Sequence, residues 1–428
     1  MLEPIANPSS LFTLVFAIAL ICSLALKFWL ATRQVRHVVE HRSAVPAVFT
    51  DRIGLQAHQK AADYTVTKTR FGTLELACGV AVTLAWTLLG GLSAMNEAIT
   101  QQLGQGLVAQ VALIGAFVVI NAVIDLPFGL YGTFVIEQAF GFNKTTLKLW
   151  AQDLGKSVVL GTLIGGPLVL LVLWLMGAAG ASWWIWTWGV WMGFNLLAMV
   201  IYPTLIAPWF NKFKALEDPQ LTARVQALMQ RCGFQAQGFY VMDGSKRSAH
   251  ANAYFTGFGA SKRVVFYDTL LARLSADEVD AVLAHELGHF AHRHILKRVA
   301  SLFALSFLGF ALLGWLGTQV WFYTGLGVAP NALGANDALA LLLFMLALPA
   351  FTTFIGPVFS WISRRHEFEA DAYAVQKSSG LHLSSALLKL YEDNASTLTP
   401  DPWYVRFYYS HPPAMQRLSR MAQPTVGA

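Results

Sequence analysis

Apolar residues along the chain gather into seven long runs, at about 9 to 31, 71 to 94, 106 to 131, 157 to 178, 182 to 207, 299 to 323 and 338 to 361. A helix needs about 20 apolar residues to cross the hydrocarbon core of a bilayer, so each run predicts one transmembrane helix. The first run is long, has no Lys or Arg before it and shows no small-x-small cleavage site. It reads as a retained anchor and not as a signal peptide. Polar positions return between the fifth and sixth runs, where Asp218 to Cys232 has helical spacing, Phe239 to Met242 and Val264 to Tyr267 read as short strands, and a helix starts at Ala276. The expected organisation is a five-helix membrane region (1–208), a polar segment (209–298), two further spans (299–361) and a polar C-terminal segment (362–428).

Composition agrees with the pattern. Hydrophobic residues are 55% of the chain and charged residues 13%, against about 25% charged in ordinary soluble domains. Mean hydropathy is +0.50. The connections carry an orientation signal. Lys27 to Arg70 is rich in Lys and Arg, and the third-to-fourth connection holds Lys144, Lys148 and Lys156. Residues before the first span, 93–106, the turn near Gly180 and 324–337 contain neither. The positive-inside rule then puts the N-terminus outside and residues 209–298 and the C-terminus in the cytosol. The net charge of +6 is mostly this bias and points to no nucleic-acid site. Cys22 and Cys78 fall within predicted spans and Cys232 has no C-x-x-C partner, which argues against disulfides and a thiolate metal site.

Candidate chemistry sits at residues 285–289, His-Glu-Leu-Gly-His, inside a helix-like apolar run. Histidines at i and i+4 share one helical face, so His285 and His289 can reach a single zinc ion, with Glu286 placed as general base toward the attacking water. The plain alternative is a solvated basic helix in which His292, Arg293 and His294 are only more surface. A catalytic zinc usually takes three protein ligands. Beyond the last span the chain reads Arg364-Arg365-His366-Glu367-Phe368-Glu369-Ala370-Asp371. Glu367 is the expected third ligand, and Asp371, one turn on, is placed to accept a hydrogen bond from a ligand histidine. Taken alone, the same stretch reads equally as a helix start whose arginines neutralise the acids. Glu369 points elsewhere and is the weaker choice.

These motifs resemble the type I CAAX prenyl proteases, which are membrane gluzincins. The resemblance also rests on Ser410-His411-Pro412-Pro413 with Arg417 following, on Ala-Asn-Ala-Tyr-Phe-Thr-Gly-Phe-Gly from Ala251, on Asp125-Leu126-Pro127-Phe128, and on the stretch from Phe134 to Asn143. It implies a mainly α polytopic membrane protein whose seven helices form a hollow barrel around a water-filled chamber, with a zincin-like catalytic domain carrying a short β segment. It also implies one zinc ion held by His285, His289 and Glu367, with Glu286 as base and His411 as a donor to the oxyanion. Asn252, Ala253 and Tyr254 would form the edge strand along which a peptide lies. Arg417 would bind a peptide carboxylate or support His411, a cationic helix facing lipid phosphate being an equal alternative.

The resemblance implies cleavage near the C-terminus of isoprenylated peptides, within a lipid bilayer, although no residue here speaks for prenyl recognition. A tail without a Lys-Lys ending leans the membrane toward a bacterial inner membrane over the endoplasmic reticulum. Two rivals compete. Glu75, Asp125 and Glu137 lie in or beside spans, where acids are costly and usually functional, so a proton-coupled transporter is conceivable. A quality-control membrane protease of the heat-shock type would share the zinc motif but lacks the long N-terminal half.

Overall fold

The computed structural model describes residues 7–234, 238–256, 263–332 and 334–421. Its first half holds α1 (Pro8–Glu40), α2 (Leu55–Trp86), α3 (Gly91–Leu103), α4 (Leu107–Glu137), α5 (Leu147–Ala178) and α6 (Gly180–Phe210). The second half holds α7 (Pro219–Arg231), α8 (Ala276–Ala291), α9 (His294–Leu316), α10 (Asp337–Lys377), α11 (Gly380–Asp393), α12 (Pro402–Tyr408) and α13 (Ala414–Met421).

Helices α1, α4, α5, α6, α9 and α10 are each long and apolar enough to span a bilayer, and α2 with α3 makes a seventh span bent by 49°. Gly90 supplies the bend, since its φ of 80° is a left-handed conformation that a side chain disfavours. Each apolar run thus falls on one of these spans, although the sixth continues past the end of α9 at Leu316. Elsewhere the helices outlast the runs. In α10 the seventh span continues through Glu367 and Asp371 to Lys377, so both acids ride on the transmembrane helix itself and not on a separate one after it.

Only 6% of the most apolar window of α5 and of α6 is buried, and 11% of that of α1 and α4. A helix in a packed bundle hides a stripe of its surface against neighbours. These helices expose both faces, which is the signature of a hollow barrel with lipid outside and open space within. A core that includes Phe16, Leu113, Leu173, Leu313, Phe322 and Leu343 joins α1, α4, α5, α9 and α10.

The segment after α6 forms a four-stranded sheet of β1 (Phe213–Ala215), β2 (Gly238–Met242), β3 (Ala253–Thr256) and β4 (Arg263–Tyr267), in the order β1-β2-β4-β3. The central pair β2 and β4 is parallel and both outer pairs are antiparallel, leaving β3 as an edge. The sequence pattern predicts β2 and β4 alone. β1 and β3 have only three and four residues, too few to display an alternation. A second core joins α7 (Val225, Leu228), β4 (Val264, Phe266), α8 (Val279, Leu283, Leu287) and α11 (Leu383, Ala386). Burying one such leucine or valine contributes about 1.5–3 kcal/mol, and this core fixes the depth and rotation of α8.

Candidate active site

Helix α8 is held at both ends. At its start Ser275 and Glu278 form a capping box, each side chain accepting from the other's backbone N–H. The Glu278 carboxylate also accepts from Lys389 Nζ at 2.7 Å and the Ser385 hydroxyl at 2.8 Å, both on α11. Burial alone would raise the Glu278 pKa, but these donors win and lower it to about 2. Further along, α8 meets α10 with no side chain between them, since a Cβ on Gly288 would lie 2.8 Å from the Ala370 Cα.

That approach brings the three expected ligands together. His285 Nε2 and His289 Nε2 each lie 3.4 Å from an oxygen of Glu367, and one ligand atom from each residue falls within 4.8 Å of the others. His285 Nδ1 lies 2.8 Å from Asp371 Oδ1, which leaves Nε2 turned toward Glu367. Arg417 is buried and donates to both Asp371 oxygens, at 2.8 and 2.5 Å, so it does not face lipid. On the other ligand, His289 Nδ1 lies 3.0 Å from His294 Nδ1, and His294 Nε2 lies 2.9 Å from Glu369 Oε2.

A cation fits this arrangement. Glu367 Oε2 is buried and has no hydrogen-bond partner among the described residues. A buried acceptor left without a donor costs about 1–3 kcal/mol, and more when charged. Burial would lower the His285 pKa, yet Asp371 and Glu367 raise it to about 9. The pocket therefore favours positive charge between these side chains. Two imidazole nitrogens and a carboxylate are a zinc donor set. A second group, His37, Glu40 and His41, is exposed at the end of α1, with Glu40 bonded to Arg36 and His41 to the His37 carbonyl.

His285 and Glu367 open onto a cavity of about 710 Å³ that Glu286, His411, Asn252 and Ala253 also line. The Glu286 carboxylate thus shares the cavity with the two and is placed to act on a bound molecule. His411 Nε2 lies 3.4 Å from Glu367 Oε1 and its Nδ1 2.9 Å from Ser410 Oγ. Desolvation at the site pushes the His411 pKa below the ordinary imidazole value, although the side chain is 64% exposed. If the Ser410 hydroxyl donates to Nδ1, the proton of the neutral ring sits on Nε2. Tyr254 departs from its expected neighbours: strand alternation turns it away, into a separate hollow with Tyr240 and Arg263. Residues 257–259, the Gly-Phe-Gly end of the Ala251 motif, lie outside the described residues.

Comparison with known proteins agrees with this geometry. The family model for peptidase family M48 matches residues 215–425, and that for the CAAX prenyl protease N-terminal region, with five membrane helices, matches residues 34–212. The chain belongs to peptidase family M48. This M48 peptidase is 33% identical to CAAX prenyl protease 1 of Saccharomyces cerevisiae, over 94% of this chain and 93% of that one. It is 30% identical to the CAAX prenyl protease 1 homolog of Homo sapiens, over 95% of each. The crystal structure of S. mikatae Ste24p superposes with a TM-score of 0.90 at 31% identity, covering 98% of this chain and 100% of that one. The M48 peptidase is therefore an integral membrane zinc metalloendopeptidase, and the transporter and heat-shock-type readings are not favoured. These relatives are eukaryotic and give no support to a bacterial membrane.

Sequence reasoning missed the supporting or lining roles of three residues, His294, Glu369 and His250. His294 is buried and bonded, not surface, and Glu369 is its partner. His250 lines the cavity, stacked on Phe142 at 4.5 Å and bonded to Asn394. Glu75 and Asp125 line a separate membrane cavity of about 280 Å³.

Proposed function

We propose that this M48 peptidase cleaves peptide bonds near the C-terminus of isoprenylated CAAX-type peptides, at one zinc ion held by His285, His289 and Glu367. The observation that carries the assignment is the unpartnered Glu367 carboxylate facing two Nε2 atoms whose rings are fixed from behind. A zinc ion supplies Lewis acidity there, acidifying a water and polarising the scissile carbonyl. Glu286 takes the proton of the attacking water and returns it to the leaving amine. His411 Nε2–H donates to the oxyanion. The edge strand β3, with Asn252 just before it, pairs with an extended peptide backbone, while Arg417, which also lines the cavity, holds Asp371. The substrate class rests on the relatives' names together with a cavity at the mouth of a hollow membrane barrel. Loop charges support an outside N-terminus and a cytosolic site.

Metal analysis of variants tests the roles. Glu286→Gln keeps near-stoichiometric zinc and loses peptidase activity, whereas Glu367→Ala loses both. Equal zinc loss in the two variants overturns the assignment. Faster hydrolysis of a farnesylated reporter than of its unprenylated counterpart tests the substrate class.

A further inference from the structure

His289 and His294 are five residues apart, which on one unbroken helix would point them about 140° away from each other. They meet because the helix breaks. α8 ends at Ala291, Arg293 adopts a left-handed φ of 55°, and α9 restarts at His294. A residue with a side chain is rarely found in that conformation, and such residues concentrate at functional sites. The turn delivers His294 beneath the back of a ligand ring. His294 is itself buried, its ring stacked on His366 at 3.9 Å and nearly parallel to His292.

We infer that His294 and Glu369 are positioning residues for the metal, forming a relay behind His289 that matches the direct Asp371 contact behind His285. The inference rests on the ligand assignment proposed above. One fact then fixes every hydrogen in the chain. If His289 Nε2 presents a lone pair to the cation, its Nδ1 carries the proton and donates to His294 Nδ1 at 3.0 Å. His294 must then carry its own proton on Nε2, which donates to Glu369 Oε2 at 2.9 Å. Glu369 is held in turn by Arg365 Nε at 3.2 Å. Both ligand rings thus end on a carboxylate, one directly and one through an intervening imidazole. Such partners fix ring orientation and strengthen the ligand, and their loss typically weakens metal binding about 10–100-fold.

The test is the zinc dissociation constant of the full-length protein in detergent, measured by competition with a chromogenic chelator. His294→Ala is expected to weaken zinc about 10–100-fold. His294→Gln keeps an acceptor for His289 and a donor for Glu369, and should stay within about threefold of the parent on that account. Glu369→Ala should weaken zinc in the same direction, and it carries the test if His294→Ala does not fold. Affinity within twofold of the parent in both alanine variants, or glutamine no better than alanine, overturns the relay. His289→Ala separates the two readings: loss of zinc there alongside unaffected His294 and Glu369 variants refutes the relay alone, while retained zinc refutes the ligand assignment beneath it.

Discussion

Gly288→Ala tests how closely the metal centre depends on the spacing of two helices. The new Cβ would lie 2.8 Å from the Ala370 Cα, 3.1 Å from the Ala370 carbonyl oxygen and 3.1 Å from the Tyr373 Cβ. Two of these neighbours are backbone atoms within a continuous helix and cannot rotate away. Reaching the 3.4 Å lower limit of ordinary contact requires α8 and α10 to part by about 0.6 Å in a close-packed interior. Zinc–ligand distances tolerate only about 0.2 Å of departure. Since α8 carries His285 and His289 and α10 carries Glu367, the displacement falls on the ligand set. Overpacking of this kind costs about 1–3 kcal/mol. If the zinc-free protein relaxes that strain and the bound form cannot, the same energy appears as roughly 5- to 150-fold weaker zinc. Chelator competition reads the affinity, and a thermal melt of the zinc-free form separates it from general destabilisation. Parental affinity in a folded Gly288→Ala protein would refute the claim that helix spacing sets the site.

His411→Phe should lower turnover roughly 100- to 1,000-fold with little change in the Michaelis constant and with zinc retained, because an oxyanion donor acts on the transition state alone; lost zinc or intact turnover with weak peptide binding would reassign it. Glu278→Gln should destabilise the protein by about 1–3 kcal/mol at neutral pH, through the weakened Lys389 and Ser385 contacts. The sign with pH is definite: the folded pKa is lowered from 4.5 to about 2, so the contribution is complete above 4.5 and fades as pH falls through 2. Melting curves of the parent and Glu278→Gln should therefore converge toward pH 2, and a constant gap would show that charge is not the cause. In a variant freed of native cysteines, cysteines at Gly180 and Asn331 should label with an impermeant maleimide on intact cells and one at Asp243 should not; labelling at Asp243 would reverse the orientation.

Sequence carried the spans and the ligands because both depend on a short-range period. A membrane helix announces itself by length and uniform hydrophobicity, and two histidines four apart by the pitch of a single helix. Glu367 and Asp371 were legible for the same reason, as neighbours one turn apart. His294 was not, because its role depends on a left-handed break at Arg293 that no periodicity encodes. The Arg417–Asp371 pair was hidden for a related reason. The two lie 46 residues apart in the chain, and nothing local shows that the pair closes under burial. The face that Tyr254 presents was not legible either, since a strand of four residues is too short to reveal it.

Helix α10 enters the membrane at Asp337 and carries Glu367 near its far end. From Gly356 to Lys377 it is α-helical without interruption, with Val358 and Trp361 exposed along the outer part of that stretch. A spanning helix tilts when the hydrocarbon around it thins or thickens. Here the tilting helix carries Glu367, the proposed metal ligand, between its lipid-facing stretch and the Gly288 crossing at Ala370. A change in bilayer thickness that tilts the helix would swing the Glu367 carboxylate with it, which couples the proposed metal site to the lipid around it.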